Sequence, residues 1–212
     1  MDEREPGSAA DPASTWRRVS RRTAYENAWI TVWHDDVVRP DGEPGIYGVV
    51  HFANVAVGVV PIDDQDRVVL VGQHRYTLER YSWEIPEGGS PHGEDPLDGA
   101  RRELREETGY DATEWRELGR VHLSNSISDE EAILYLATGL TSGEATPDGT
   151  EDLRVRHVPF DEALAMTVDG RITDAMSVLG LQWVALARRE PALDPGASTI
   201  APGTETAGGG DG

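Results

Sequence analysis

From Trp29 to Pro86 the chain repeats one pattern, a short β-rich run followed by a turn. The runs are 29–38 (WITVWHDDVV), 46–52 (IYGVVHF), 54–61 (NVAVGVVP), 67–72 (RVVLVG) and 80–86 (RYSWEIP). Pro40-Asp41-Gly42-Glu43-Pro44 and Asp63-Asp64-Gln65-Asp66 separate them as turn segments. At Asp95-Pro96 the period changes from two to that of a helix. Asp95 is suited to the N-cap, Pro96 to the first helical position, and Gly109 to a left-handed stop. Further strands are predicted over 115–123, 131–137 and 153–158. Helices follow near 160–168 and 173–189, the second with Ala175, Met176, Leu179, Trp183 and Leu186 on one face. Strands first and few helices after, outside βαβ order, predict an α+β sandwich.

The flanks are a different kind of chain. Residues 1–15 and 191–212 hold Pro, Ala, Gly, Ser and acids with almost nothing to bury, and read as disordered tails. No internal repeat or long linker divides the body, so 16–190 reads as one domain. Its chemistry is bounded by what is missing. There is no Cys, which excludes disulfides, thiolate nucleophiles and zinc–thiolate sites. There is no Lys either, so Schiff-base catalysis and the phosphate-binding lysine of a P-loop are excluded. With 39 acids against 19 arginines the net charge is −20, which argues against nucleic acid or an anionic membrane as partner. No apolar run is long enough to span a membrane, and the first residues lack a signal-peptide layout; a cytoplasmic protein is expected.

The segment 88–110 (GGSPHGEDPLDGARRELREETGY) carries the chemistry. Glu103, Glu106 and Glu107 fall at i, i+3 and i+4 of the predicted helix, so their carboxylates share one face. Two readings follow from that. The plain one is a solvated, salt-bridged face, with Arg101, Arg102 and Arg105 offsetting the repulsion. The other is a site for a hard cation, with Mg²⁺ or Mn²⁺ held by oxygen ligands alone.

Spacing separates the two. Gly88, five residues, Glu94, seven residues, then Arg102-Glu103-Leu104-x-Glu106-Glu107-x-Gly109-Tyr110 resembles the Nudix box at each defined position. The resemblance implies a Nudix fold, an α/β/α sandwich with a mixed sheet, extended here by N-terminal hairpin strands. It implies a metal site made by Glu103 and Glu107, the backbone carbonyl of Glu87, and Glu106 supporting a further ion and the catalysis. Glu94 and Arg102 are expected to pair and pin loop to helix, and Leu104 to turn into the core.

Outside the box, Gln73-His74-Arg75-Tyr76, Trp83-Glu84-Ile85-Pro86-Glu87-Gly88 and Tyr25-Glu26-Asn27-Ala28-Trp29-Ile30 are similar to the ADP-ribose pyrophosphatase and nucleotide-sugar hydrolase branch. That likeness implies a homodimer joined through the N-terminal strands. It makes Trp29 the candidate for stacking on the nucleobase, Arg75 for phosphate contact and Glu84 for metal or substrate. It also places a general base on a loop after the later strands, 141–152, with Glu151 first and Asp152 and Glu144 as alternatives.

Three places depart from the branch pattern. Ser124 to Glu130 holds Asn125 and no proline, Asn27-Ala28-Trp29 stands for Asn-Pro-Trp, and Pro86-Glu87-Gly88 stands for Pro-Ala-Gly. These leave the sugar open between ADP-ribose and relatives such as GDP-mannose. The six histidines show no metal-ligand spacing. The expected reaction is Mg²⁺-dependent hydrolysis of a nucleoside diphosphate sugar to a nucleoside monophosphate and a sugar phosphate. A nucleoside triphosphate or dinucleoside polyphosphate hydrolase is the alternative, and a non-catalytic nucleotide-sugar sensor the next.

Overall fold

A computed structural model describes residues 15–143 and 153–190. Both predicted tails, apart from Thr15, lie outside the described residues, as do Glu144, Glu151 and Asp152. The described residues form two compact units, 15–53 with 124–130, and 54–123 with 131–143 and 153–190.

The first unit is a three-stranded antiparallel sheet of β1 (Arg17–Glu26), β2 (Ile30–Val38) and β3 (Pro44–Phe52), in that order. The turn between β1 and β2 is built by Asn27, whose Oδ1 accepts the amides of Trp29 and Ile30, each at 2.9 Å. β1 is exposed along its whole length, and Arg17, Arg18, Arg21 and Arg22 give it no apolar face. Pairing with β2, not patterning, makes it a strand, which is why periodicity does not predict it. Arg21 Nε donates to Asp35 Oδ1 at 2.7 Å and its guanidinium lies 3.8 Å from the Trp33 ring centroid. Segment 124–130 belongs to this unit: Val50 N donates to Ile127 O at 2.9 Å, and Phe52 N to Asp129 Oδ1 at 3.2 Å.

The second unit runs β4 (Asn54–Pro61), β5 (Arg67–Arg75), β6 (Arg80–Glu84), β7 (Glu87–Pro91), α1 (Pro96–Thr108), β8 (Tyr110–His122), β9 (Glu131–Ser142), β10 (Arg154–Pro159), α2 (Phe160–Asp169) and α3 (Ala175–Arg189). A mixed sheet has the order β7-β4-β9-β8, with β4 and β9 parallel. A second, antiparallel sheet has the order β10-β5-β6. Alternation along β4 explains the layering. Val57 and Val59 pack with Ala100 and Leu104 of α1, whereas Val60 belongs to the cluster of Ile85, Leu134, Met176 and Leu181. Helices therefore cover both faces, giving the α/β/α sandwich with N-terminal strands that the sequence implies. Gly58 lets α3 close on β4, because a Cβ there would stand 2.9 Å from Met176 Cε.

Two expectations change. β7 falls where the sequence pattern predicts a loop, because Gly88, Gly89 and Ser90 pair with Val57, Ala56 and Val55 despite weak strand propensity. On α3 the buried stripe is Met176, Ser177, Gly180, Leu181, Val184 and Ala185, while Leu186 is 41 % exposed. The helix is rotated from the predicted face because Gly180, not a large apolar residue, meets Val60. Among the described residues no helix is long and apolar enough to cross a membrane.

Candidate active site

The box helix forms as its ends dictate. Asp95 accepts the Leu97 amide at 3.0 Å, Pro96 opens α1, and Gly109 closes it at φ +73°. Leu104 is fully buried against the mixed sheet, which fixes the rotation of α1 and turns Glu103 and Glu107 toward the loop before it.

Strand β7 and helix α1 meet in two places. The Glu87 amide donates to Glu107 Oε2 at 3.0 Å, and Glu107 is only 4 % exposed. Gly88 lies beneath Glu103: a Cβ on Gly88 would overlap the Glu103 carboxyl. The glycine is thus required for the close approach of that carboxylate to the backbone.

Arg102 is the clamp, and Glu94 is its most distant partner, paired with it only as a long ion pair. Its Nη2 donates to Gly89 O at 2.8 Å and its Nη1 to Glu103 Oε1 at 2.7 Å and Glu106 Oε2 at 3.1 Å, while Glu94 is reached only at 4.0 Å. Glu94 instead accepts from Ser90 Oγ at 3.1 Å. Burial lowers the affinity of Arg102 for its proton, but Glu103 and Glu106 outweigh this and hold it above its usual range.

Arg75 and Glu84 form the other half. Arg75 Nε donates to Glu84 Oε2 at 2.9 Å and Nη2 also bonds it; Nη2 reaches Glu87 Oε1 at 2.8 Å. Glu84 is 2 % exposed and depends on that pairing. Burial pulls the Arg75 proton affinity down, but Glu84, Glu87 and Glu107 more than restore it. The Glu87 side chain is the group that the sequence does not single out, since only its carbonyl is expected to act. It lies between Arg75 and Asp174 with Oε2 buried and without a hydrogen bond from any described residue. Burial, and then the charges of Asp174 and Glu84, push this carboxyl well above the ordinary range against the pull of Arg75.

The structure therefore brings Glu84, Arg75, Glu87, Glu103 and Glu107 around one loop, with Glu106 beside them on α1. Trp29 belongs to the other unit, where it stands 70 % exposed on the turn between β1 and β2. Glu151, with Glu144 and Asp152, lies outside the described residues. Among the described residues no three acidic or histidine side chains are arranged as a ready-made cation site, because Glu103 and Glu106 are turned onto Arg102. The donors nonetheless suit a hard divalent ion. They are all oxygen, and the Gly88 cradle leaves room at Glu103 that a side chain would fill.

The methanol dehydrogenase activator of Bacillus methanolicus is 36 % identical over 154 residues, covering 72 % of this chain and 83 % of that protein. An ADP-ribose pyrophosphatase of Mycobacterium tuberculosis is 34 % identical over 167 residues, covering 77 % and 80 %. A solved structure described as an ADP compounds hydrolase shares the fold, with a TM-score of 0.75 at 23 % identity over 84 % of this chain and 97 % of that one. The nucleoside diphosphate sugar hydrolase N-terminal domain matches residues 16–50. The NUDIX domain matches residues 53–176, the span that holds the box and both halves of the site, and the chain belongs to the NUDIX family of pyrophosphohydrolases.

Proposed function

We propose that the chain hydrolyses the pyrophosphate linkage of a nucleoside diphosphate sugar, releasing a nucleoside monophosphate and a sugar phosphate. The observation that carries this reading is the union of Glu107 with the Glu87 amide and of Glu103 with the Gly88 backbone. It presents two carboxylates at the start of β7, beside Arg75. Glu103, Glu107 and the Glu87 carbonyl would hold Mg²⁺ or Mn²⁺, with Glu106 supporting a further ion. When bound, such ions would neutralise the diphosphate and acidify bound water.

The remaining steps belong to the chain. Arg75, oriented by Glu84, is placed to exchange its bond with Glu87 for a phosphate oxygen. A water oxygen adds to one phosphorus, the bridging P–O bond breaks, and the leaving phosphate takes the electron pair. Glu151 receives the proton of that water. Trp29 stacks on the base within a homodimer joined through the N-terminal sheet. That sheet exposes Val19, Tyr25 and Ile46, and the fully exposed β1 lies at its edge.

The test is release of nucleoside monophosphate from ADP-ribose, GDP-mannose, UDP-glucose, NADH and dGTP, with Mg²⁺ and with chelator. Release from a sugar nucleotide that stops on chelation is expected; release from dGTP alone would overturn the reading. Glu151→Gln is expected to slow turnover at least ~10-fold. Light scattering is expected to give a dimer.

A further inference from the structure

A cavity of about 420 Å³ opens beside the loop, within the ~300–1,000 Å³ typical of ligand pockets. Its wall includes Arg75, Arg80, Glu84, Glu87, Thr173 and Asp174, drawn from β5, β6, β7 and the start of α3. Both cations are engaged. Arg75 holds Glu84 and Glu87, and Arg80 Nη2 donates to Thr173 Oγ1 at 2.6 Å. What the wall still offers is acceptors. Asp174 spends Oδ2 on the Ser177 amide at 2.7 Å, and Glu87 Oε2 is buried without a hydrogen bond from any described residue.

This lining selects a chemistry. Among the described residues it contains no aromatic ring, so a nucleobase has nothing there to stack on. Beyond the one phosphate oxygen that Arg75 would take at the rim, a phosphate would meet the carboxylates of Glu84 and Asp174. An uncharged group that donates several hydrogen bonds matches it, and a sugar is such a group. Glu87 links the cavity to the box, because its amide bonds Glu107 while its carboxyl forms part of the cavity wall.

We propose that this cavity receives the sugar of the nucleoside diphosphate sugar, its hydroxyls donating to Glu87, Thr173 and Asp174. The proposal rests on the reading of the box as a pyrophosphate-cleaving site. It makes Glu87, standing where the branch pattern has alanine, a residue that determines specificity through its side chain.

Wild type, Thr173→Val and Asp174→Asn are compared on ADP-ribose, GDP-mannose and the β-methyl ester of ADP, all with Mg²⁺. The methyl ester keeps base and diphosphate but lacks the sugar. Asp174→Asn retains an oxygen for the helix cap, and thermal melts report on folding. The KM for the preferred sugar nucleotide, divided by that for the methyl ester, is expected to rise about tenfold in each variant. Unchanged ratios in both variants overturn the proposal, as does a wild type that prefers the methyl ester. A wild type that cleaves none of the three overturns the reaction itself, a failure distinct from loss of the sugar subsite.

Discussion

The main-chain amide of Glu87 and the carboxylate of Glu107 are joined at 3.0 Å across twenty residues of chain. One side chain of the helix thereby fixes the end of β7 that carries the Glu87 carboxyl. Glu107→Gln keeps an oxygen to accept that amide but loses the charge. It is expected to keep its melting temperature within a few degrees, while the Mg²⁺ concentration for half-maximal turnover rises ~100-fold or more. Titration of activity against Mg²⁺ alongside a thermal melt checks both halves.

Gly88→Ala should act on the same site from the other side. The added methyl group overlaps the Glu103 carboxyl, which must rotate away from the loop. A loss of about tenfold or more in turnover is expected with Mg²⁺ limiting, partly recovered at saturating metal. Equal loss at all metal concentrations would show that Glu103 acts in some way other than ligation.

Arg75 couples stability to turnover. Arg75→Ala leaves Glu84 buried without its partner, expected to cost about 2–3 kcal/mol once the one-third exposure of Arg75 is allowed for. Adding Glu84→Gln removes the stranded charge and should return most of that stability without returning activity. Denaturant unfolding of the single and double variants, read beside kcat/KM, separates the two roles.

Asp63 makes the acid limb of stability legible. Burial alone would raise its carboxyl, but bonds from the Arg67 side chain and amide, His157 and the Gln65 amide bring it to about 2, from an ordinary 3.8. A depressed folded value stabilises the protein above pH 3.8, and that contribution is lost as pH falls through about 2. Asp63→Asn is therefore expected to be less stable than wild type at neutral pH, with the gap closing between about pH 4 and about pH 2. Chemical unfolding at several pH values measures it; a gap independent of pH would show that the carboxylate charge contributes nothing.

The elements that can be read from the chain are those whose signal is local. Asp95, Pro96 and Gly109 bound α1 as expected, Leu104 is its buried anchor, and the five early β-rich runs are all strands. The elements that cannot be read are made by partners distant in sequence. β1 and β7 exist because β2 and β4 pair with them, and neither carries apolar alternation. The site divides the same way. Spacing identifies Glu103, Glu106 and Glu107, whereas Asp174 enters it from the far end of the domain, 87 positions beyond Glu87. Replacement of alanine by Glu87 is visible as a departure, but its pairing with Arg75 requires the β5–β6 register that sets Arg75 opposite Arg80 and Val71 opposite Glu84.

The exposed turn Tyr76–Leu78, between β5 and β6, forms one rim of the cavity while the box lies on other elements. A different sequence grafted into that three-residue turn would reshape what enters without displacing a carboxylate of α1. If the cavity receives the sugar as proposed, part of the selectivity would be a replaceable part, able to drift or be redesigned at this turn while α1 stays constant.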